Sequence, residues 1–225
     1  MADSSHVRQQ YAAELEQLRL QVEVMAVRVD QNLERMREVL RTGDAEVAEQ
    51  ALCDDDEIDA MNLSLTERCY DLLARESPVA TDLRLVVSVI RVLSELERIG
   101  DLALRVVKLY PQHALVTSNP ATFDILLSMA DESVERYRLA LRAWAADDLG
   151  LATELSTTDG SMNVVRERLV AELVRIDGPS AVEIALATDN AGRALERIAD
   201  HARIIGARLR YMITGDPHHL AAEVR

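Results

Sequence analysis

The chain has 225 residues and a formal net charge of −14, and 48% of its residues are hydrophobic while only 3% are aromatic. The length suffices for one large core or two smaller ones, and an apolar content of Leu, Val, Ala, Ile and Met is typical of packed helices. The excess of acid repels a phosphate backbone, so we expect no nucleic-acid partner.

The N-terminus is polar, without the apolar core of a signal peptide, and no apolar run approaches the roughly 20 residues that span a bilayer. Cys53 and Cys69 fit no zinc spacing and indicate a reducing compartment. We therefore predict a cytoplasmic protein that meets membranes only through its partners.

The first half of the chain carries three helical patterns. Apolar residues recur at three- and four-residue steps over residues 15–40, 47–72 and 85–106. Between the first two patterns, Gly43 suits a helix C-cap and Asp44 the next N-cap. Ser77 and Pro78 are predicted to be the N-cap and first position of the third helix. Residues 111–120 form a connector.

The second half repeats this order of elements. A fourth pattern runs from Thr122 to about Ala146, and a fifth ends at the turn 177–179. The sixth extends from about Ser180 to the turn that begins at Gly215, after which we expect a frayed tail.

The two halves form an internal repeat. A shift of 104 residues places Asp55 on Asp159, and a shift of 99 places Glu97 on Glu196. Long helices joined by short turns run antiparallel. The sequence predicts an all-α fold with a tandem repeat of two antiparallel three-helix bundles, residues 1–111 and 119–216, and a tail, 217–225.

A repeated acidic motif is the strongest chemical signal. The segment 96–101, Leu-Glu-Arg-Ile-Gly-Asp, returns at 195–200 as Leu-Glu-Arg-Ile-Ala-Asp, and each places two carboxylates four residues apart on a helix. Folding the helices about their turns brings further aspartates to the same height. The first acidic seam then contains Asp55, Asp59, Glu97 and Asp101. The second acidic seam contains Asp159, Glu196 and Asp200.

These seams have two interpretations that spacing does not separate. Clustered carboxylate oxygens suit hard or borderline cations such as Mg, Mn or Fe. Alternatively, arginines at seven-residue steps on the third helix, among them Arg98 and Arg105, neutralise the acids as salt bridges. His201 directly follows Asp200 and cannot share its helix face. No Glu-x-x-His pair, nucleophile elbow or phosphate loop is present, so we predict no enzymatic activity.

The segment 77–84, Ser-Pro-Val-Ala-Thr-Asp-Leu-Arg, followed by the motif at 96–101, resembles the PhoU family of phosphate-uptake regulators, as do residues 195–202 and 211–215. The resemblance covers nearly the whole chain and implies the same double bundle, with metal sites at both seams, where Zn is a further candidate ion. Two positions depart from the family pattern. Asn163 replaces an acid at the second seam, and Leu102 stands where a His often follows the motif.

The resemblance also implies a function. PhoU proteins act as negative regulators of the phosphate-starvation response, and they are thought to link a phosphate ABC transporter ATPase to a membrane sensor histidine kinase. We therefore expect a cytoplasmic adaptor for signal transduction that forms a homodimer. The same residues leave open a metal-binding or metal-buffering protein without a signalling role, and a structural adaptor with salt-bridged seams.

Overall fold

Three long helices form the first half of the computed structural model, which describes residues 2–76, 78–157 and 159–223 except the side chains of residues 2–8, 159 and 222. Helices α1 (Ala2–Thr42), α2 (Ala45–Glu76) and α3 (Ala80–Val107) pack against one another. Gly43 has a φ of +70°, and the Asp44 carboxylate accepts hydrogen bonds from the Glu46 and Val47 amides. Both predicted caps between α1 and α2 are confirmed.

The start of α3 differs from the sequence prediction. The helix begins at Ala80 and its N-cap position is Val79, so Pro78 precedes the helix instead of opening it. Ser77, the predicted N-cap, lies outside the described residues. Ala80 itself has a φ of +49°, and this left-handed residue turns the chain into α3 at a point that residue types do not reveal.

The connector contains short helices, and the second half follows. A 3-10 turn (Tyr110–Gln112) and α4 (His113–Val116) lead into α5 (Pro120–Ala146), which Asn119 caps through its side chain. The fifth predicted helix is present as α6 (Leu149–Thr157) and α7 (Asp159–Leu173), on either side of residue 158. Helix α8 (Ala181–Thr214) completes the bundle.

The described chain contains helices and no strands, which confirms the predicted all-α double bundle. Helices α3 and α8 form the most extensive helix–helix contact. They run antiparallel, since the Arg84 guanidinium donates to the Met212 carbonyl near one end while Glu95 contacts His201 near the middle. Buried residues of both halves belong to one continuous hydrophobic core. No helix of the described residues is long and apolar enough to cross a membrane.

Residues 217–223 of the predicted tail are not frayed, in contrast to our expectation, and residues 224 and 225 lie outside the described residues. Residues Pro217–Glu223 form a 3-10 helix against α8. The Glu223 carboxylate pairs with the Arg208 guanidinium of α8 and lies 3.6 Å from Arg91 of α3. These charge contacts come from distant positions in the chain, so nothing in the local sequence indicates them.

Candidate functional site

The first acidic seam lies where α2 packs against α3. Asp55, on α2, is only 8% exposed, and its carboxylate faces the backbone of α3 at Gly100. A Cβ atom added at Gly100 would lie 3.1 Å from Asp55 Oδ1. The glycine of the motif therefore makes room for a carboxylate held between the two helices.

The carboxylates of this seam repel one another. Burial, followed by the charges of Asp59 and Asp101, raises the pKa of Asp55 to about 6, against a smaller opposing influence of Lys108. Burial and then Asp101 raise the pKa of Asp59. Burial, Asp101 and Asp59 raise the pKa of Glu97. Two helices thus concentrate negative charge at one place, as the sequence predicted.

No arginine of the described chain forms an ion pair with the first seam, although the charge of Arg98 partly offsets the rise in the pKa of Glu97. Among the ion pairs of the described residues, none involves its four carboxylates. Their neighbours are paired: Asp54 lies 2.8 Å from Arg35, and Glu57 lies 3.6 Å from Arg28. The salt-bridge interpretation of the sequence therefore does not describe this seam, and its buried member, Asp55, forms none of these ion pairs.

The four carboxylates are close but do not converge on one point. Nowhere in the described chain do three His, Cys, Asp or Glu side chains come close enough together to hold a metal ion. Mutual repulsion between these carboxylates favours their separation. The donor set fits a hard or borderline cation, because all four members supply oxygen and the most buried one lacks an ion-pair partner.

The second acidic seam is organised differently. The Glu196 carboxylate lies 3.5 Å from the Arg166 guanidinium of α7, which also donates to Asp189 at 2.5 Å. Burial alone would raise the pKa of Asp189, but hydrogen bonds from Arg166 and Arg193 outweigh it and lower that pKa. The side chain of Asp159 lies outside the described residues, and Asp200 is exposed one turn beyond Glu196. The Arg166 guanidinium thus lies beside the Glu196 carboxylate of the second seam.

A polar pair between the bundles escaped the sequence-based prediction. His201 Nδ1 and Glu95 Oε2 are 2.5 Å apart across the α3–α8 contact, and the Glu95 side chain is 1% exposed. From the sequence we placed His201 away from the second seam without finding this partner. In the register of α3 and α8, Leu102 lies opposite Ala194, and both are buried. Leu102, where the chain departs from the family pattern, therefore forms with Ala194 the apolar counterpart of the Glu95–His201 pair.

Comparisons with known proteins agree with this architecture. The family model described as "PhoU domain" matches residues 22–109 and again 126–209. The Pseudomonas aeruginosa "phosphate-specific transport system accessory protein PhoU homolog" is 32% identical over 96% of this chain and 90% of its own length. The Escherichia coli K12 "phosphate-specific transport system accessory protein PhoU" is 26% identical over 98% and 92%.

Solved structures have the same fold. The crystal structure of PhoU from Pseudomonas aeruginosa superimposes with a TM-score of 0.87 at 31% identity, over 92% of this chain and all of that one. The phosphate transport system regulatory protein PhoU from Streptococcus pneumoniae gives a TM-score of 0.82 at 24% identity, over 92% and 98%. The names of these relatives describe accessory and regulatory proteins of phosphate transport and mention no catalytic activity.

Proposed function

Because the chain belongs to the PhoU family, we propose that it is a regulatory accessory protein of phosphate transport, acting as a negative regulator of phosphate uptake and of the phosphate-starvation response. The observation that carries this proposal is the family match in both repeats, joined to relatives named as accessory proteins of a phosphate transport system. The protein works in the cytoplasm as a homodimer and contributes no catalysis.

Its partners are the ATPase of a phosphate ABC transporter and a membrane-bound sensor histidine kinase, which it holds in a non-signalling state when phosphate is plentiful. Exposed acid at the seams gives it surfaces that a basic partner surface would complement. The adaptor role then needs only protein contacts, because the chain meets the membrane through these two proteins.

The first acidic seam holds a divalent or transition metal ion, with Mg, Mn, Fe and Zn as candidates. Support comes from the buried Asp55, which forms no ion pair with any described residue, and from the mutual repulsion of its neighbours, which a cation would relieve. The residues that would hold the ion are Asp55, Asp59, Glu97 and Asp101. A metal bound there would supply positive charge that offsets the repulsion between the carboxylates.

The regulatory proposal is tested by deleting the gene and measuring the expression of phosphate-uptake genes in phosphate-rich medium. We expect derepression, restored by the wild-type gene and not by a vector alone. Affinity capture of the tagged protein should recover the transporter ATPase or the kinase. Repression that persists after deletion, in a strain shown to lack a second copy of the family, would overturn the proposal.

A second function, metal buffering without signalling, is favoured by one observation, the uncompensated charge of the first seam. It predicts that deletion changes cellular metal content or metal tolerance while phosphate-responsive expression stays normal. The regulatory proposal predicts the reverse. Measuring both in the same deletion strain separates the two functions.

A further inference from the structure

The two seams differ at several positions, and one of the differences is Arg166. We propose that the Arg166 guanidinium is a built-in cation that excludes divalent metal from the second acidic seam, so that this chain binds metal in its first bundle only. The inference rests on the proposed metal binding of the first seam, and its test separates the two. Arg166 would then determine which of two related seams accepts an ion.

The position of Arg166 supports this role. The residue is 8% exposed, and its guanidinium bridges α7 to α8 by approaching both Asp189 and Glu196. A Cβ atom added at Gly192 would lie 3.8 Å from Arg166 Nη1 and 3.9 Å from its Cζ, so the side chain lies directly on the backbone of α8 there. The cation is therefore held against the helix that carries the motif carboxylates.

Arg166 also competes with metal on electrostatic grounds. A guanidinium stays protonated at every physiological pH, so it cannot vacate the seam by losing its charge. A divalent ion at Glu196 would be repelled by it, and displacing the guanidinium would leave a buried charge without its partners. Asn163 further weakens the seam for metal, because an amide replaces an anionic ligand.

The first seam lacks this cation. The repeat shift of 104 residues between α2 and α7 matches buried Ile58 with Met162 and buried Leu65 with Leu169. The same shift places Arg166 on Asn62, a neutral residue whose amide oxygen faces Thr66. The shift of 99 between α3 and α8 places Asp189 on Ile90. Neither the guanidinium nor the aspartate that anchors it has a counterpart in the first bundle.

The test measures Mn²⁺ bound to the full-length protein by equilibrium dialysis and elemental analysis, after removal of metal with chelator. Arg166→Gln removes the charge while keeping a polar side chain, and Asp55→Asn weakens the first seam. Arg193→Gln is the matched control, because Arg193 also pairs with Asp189, at 2.7 Å, but its side chain is 68% exposed.

We expect Arg166→Gln to bind more Mn²⁺ than the wild type, and the double variant with Asp55→Asn to keep this added binding. Arg193→Gln should bind as the wild type does. The inference is overturned if Arg166→Gln gains no binding, or if Asp55→Asn retains Mn²⁺ that Glu196→Gln then removes. Wild-type protein without Mn²⁺, combined with a gain in Arg166→Gln, would overturn the first-seam metal proposal and support the role of Arg166.

A reciprocal variant avoids disturbing the second bundle, should Arg166→Gln fail to fold. Asn62→Arg brings a guanidinium to the matching position of the first bundle, where residue 62 is half-buried. We expect Asn62→Arg to weaken Mn²⁺ binding at least about tenfold, the effect typical of changes beside a metal ligand. Asn62→Gln is its neutral control. Unchanged Mn²⁺ affinity in Asn62→Arg would contradict the inference.

Discussion

Replacing Asp55 by Asn should stabilise the metal-free protein, although the change removes a carboxylate of the first acidic seam. In the folded protein the pKa of this carboxyl is raised from 3.8 to about 6. At about 1.4 kcal/mol for each pKa unit, keeping it ionised at pH 7 costs roughly 3 kcal/mol. An Asn amide in the same place is imperfectly hydrogen-bonded, which leaves a net gain of about 2 kcal/mol.

The sign follows from the protonation of the two states. Because the pKa is higher in the folded than in the unfolded chain, the contribution of Asp55 to stability is fully present below about pH 4 and is lost as the pH rises through about 6. Near pH 4, where the repulsion is absent, Asp55→Asn should therefore be about 1 kcal/mol less stable than the wild type, because only the cost of the imperfectly bonded amide remains. Above about pH 6.5 the variant should be more stable.

The assay is urea unfolding followed by circular dichroism, in chelator, from pH 4 to pH 7.5. Asp54→Asn is the matched control, because this neighbour pairs with Arg35 at 2.8 Å and should lose roughly 0–1 kcal/mol. Addition of Mn²⁺ should reverse the order at pH 7, since the ion stabilises the wild type and not Asp55→Asn. An Asp55→Asn protein no more stable than the wild type at pH 7 in chelator would refute the repulsion that we assign to this seam.

Three further substitutions test the packing. His201→Leu removes the closer of two partners from the buried Glu95 carboxylate and leaves Arg91, 3.2 Å away, so it should lower the free energy of unfolding by about 1–3 kcal/mol. His201→Leu with Glu95→Ala, which copies the apolar pair of the other repeat, should recover most of this loss, and equal losses would contradict the pairing. Gly43→Ala should lower the free energy of unfolding by more than about 1 kcal/mol, because φ is +70° and the new Cβ would lie 2.6 Å from the His113 ring. An unchanged urea midpoint would exclude this strain. Tyr137→Phe should lower the free energy of unfolding by about 1–2 kcal/mol, because the hydroxyl donates to the Ala26 carbonyl at 2.6 Å. A thermal midpoint equal to that of the wild type would show that this hydrogen bond contributes no stability.

The caps between α1 and α2, which neighbouring residues set, were predictable from the sequence, whereas the start of α3 was not. The caps at Gly43 and Asp44 follow from backbone freedom and a short acceptor side chain, and the structure has both. The first acidic seam was also predictable, because a turn of known position fixes which residues of two adjacent helices stand at equal height. Its charge repulsion involves the residues that this counting selected.

Features set by contacts between distant helices were not predictable. Arg166 belongs to no motif, and its pairing with Asp189 depends on the rotation of α7 about its own axis. Residues Glu95 and His201 belong to different repeats, so their contact requires the register of α3 on α8, which periodicity within one helix does not give. For the same reason the heptad spacing of Arg98 and Arg105 suggested salt bridges that the structure does not form at the first seam.

The Glu95–His201 pair between α3 and α8 also influences which half-molecules can associate. Two copies of the first bundle, meeting through the same antiparallel crossing, would bury each Glu95 against Leu102 of the other copy. Two copies of the second would bury each His201 against Ala194. Only unlike halves match a carboxylate with an imidazole and an apolar residue with an apolar one. A chain whose two repeats differ in this way should pair its own two halves. Separately produced halves should form the mixed dimer in preference to a dimer of two identical halves.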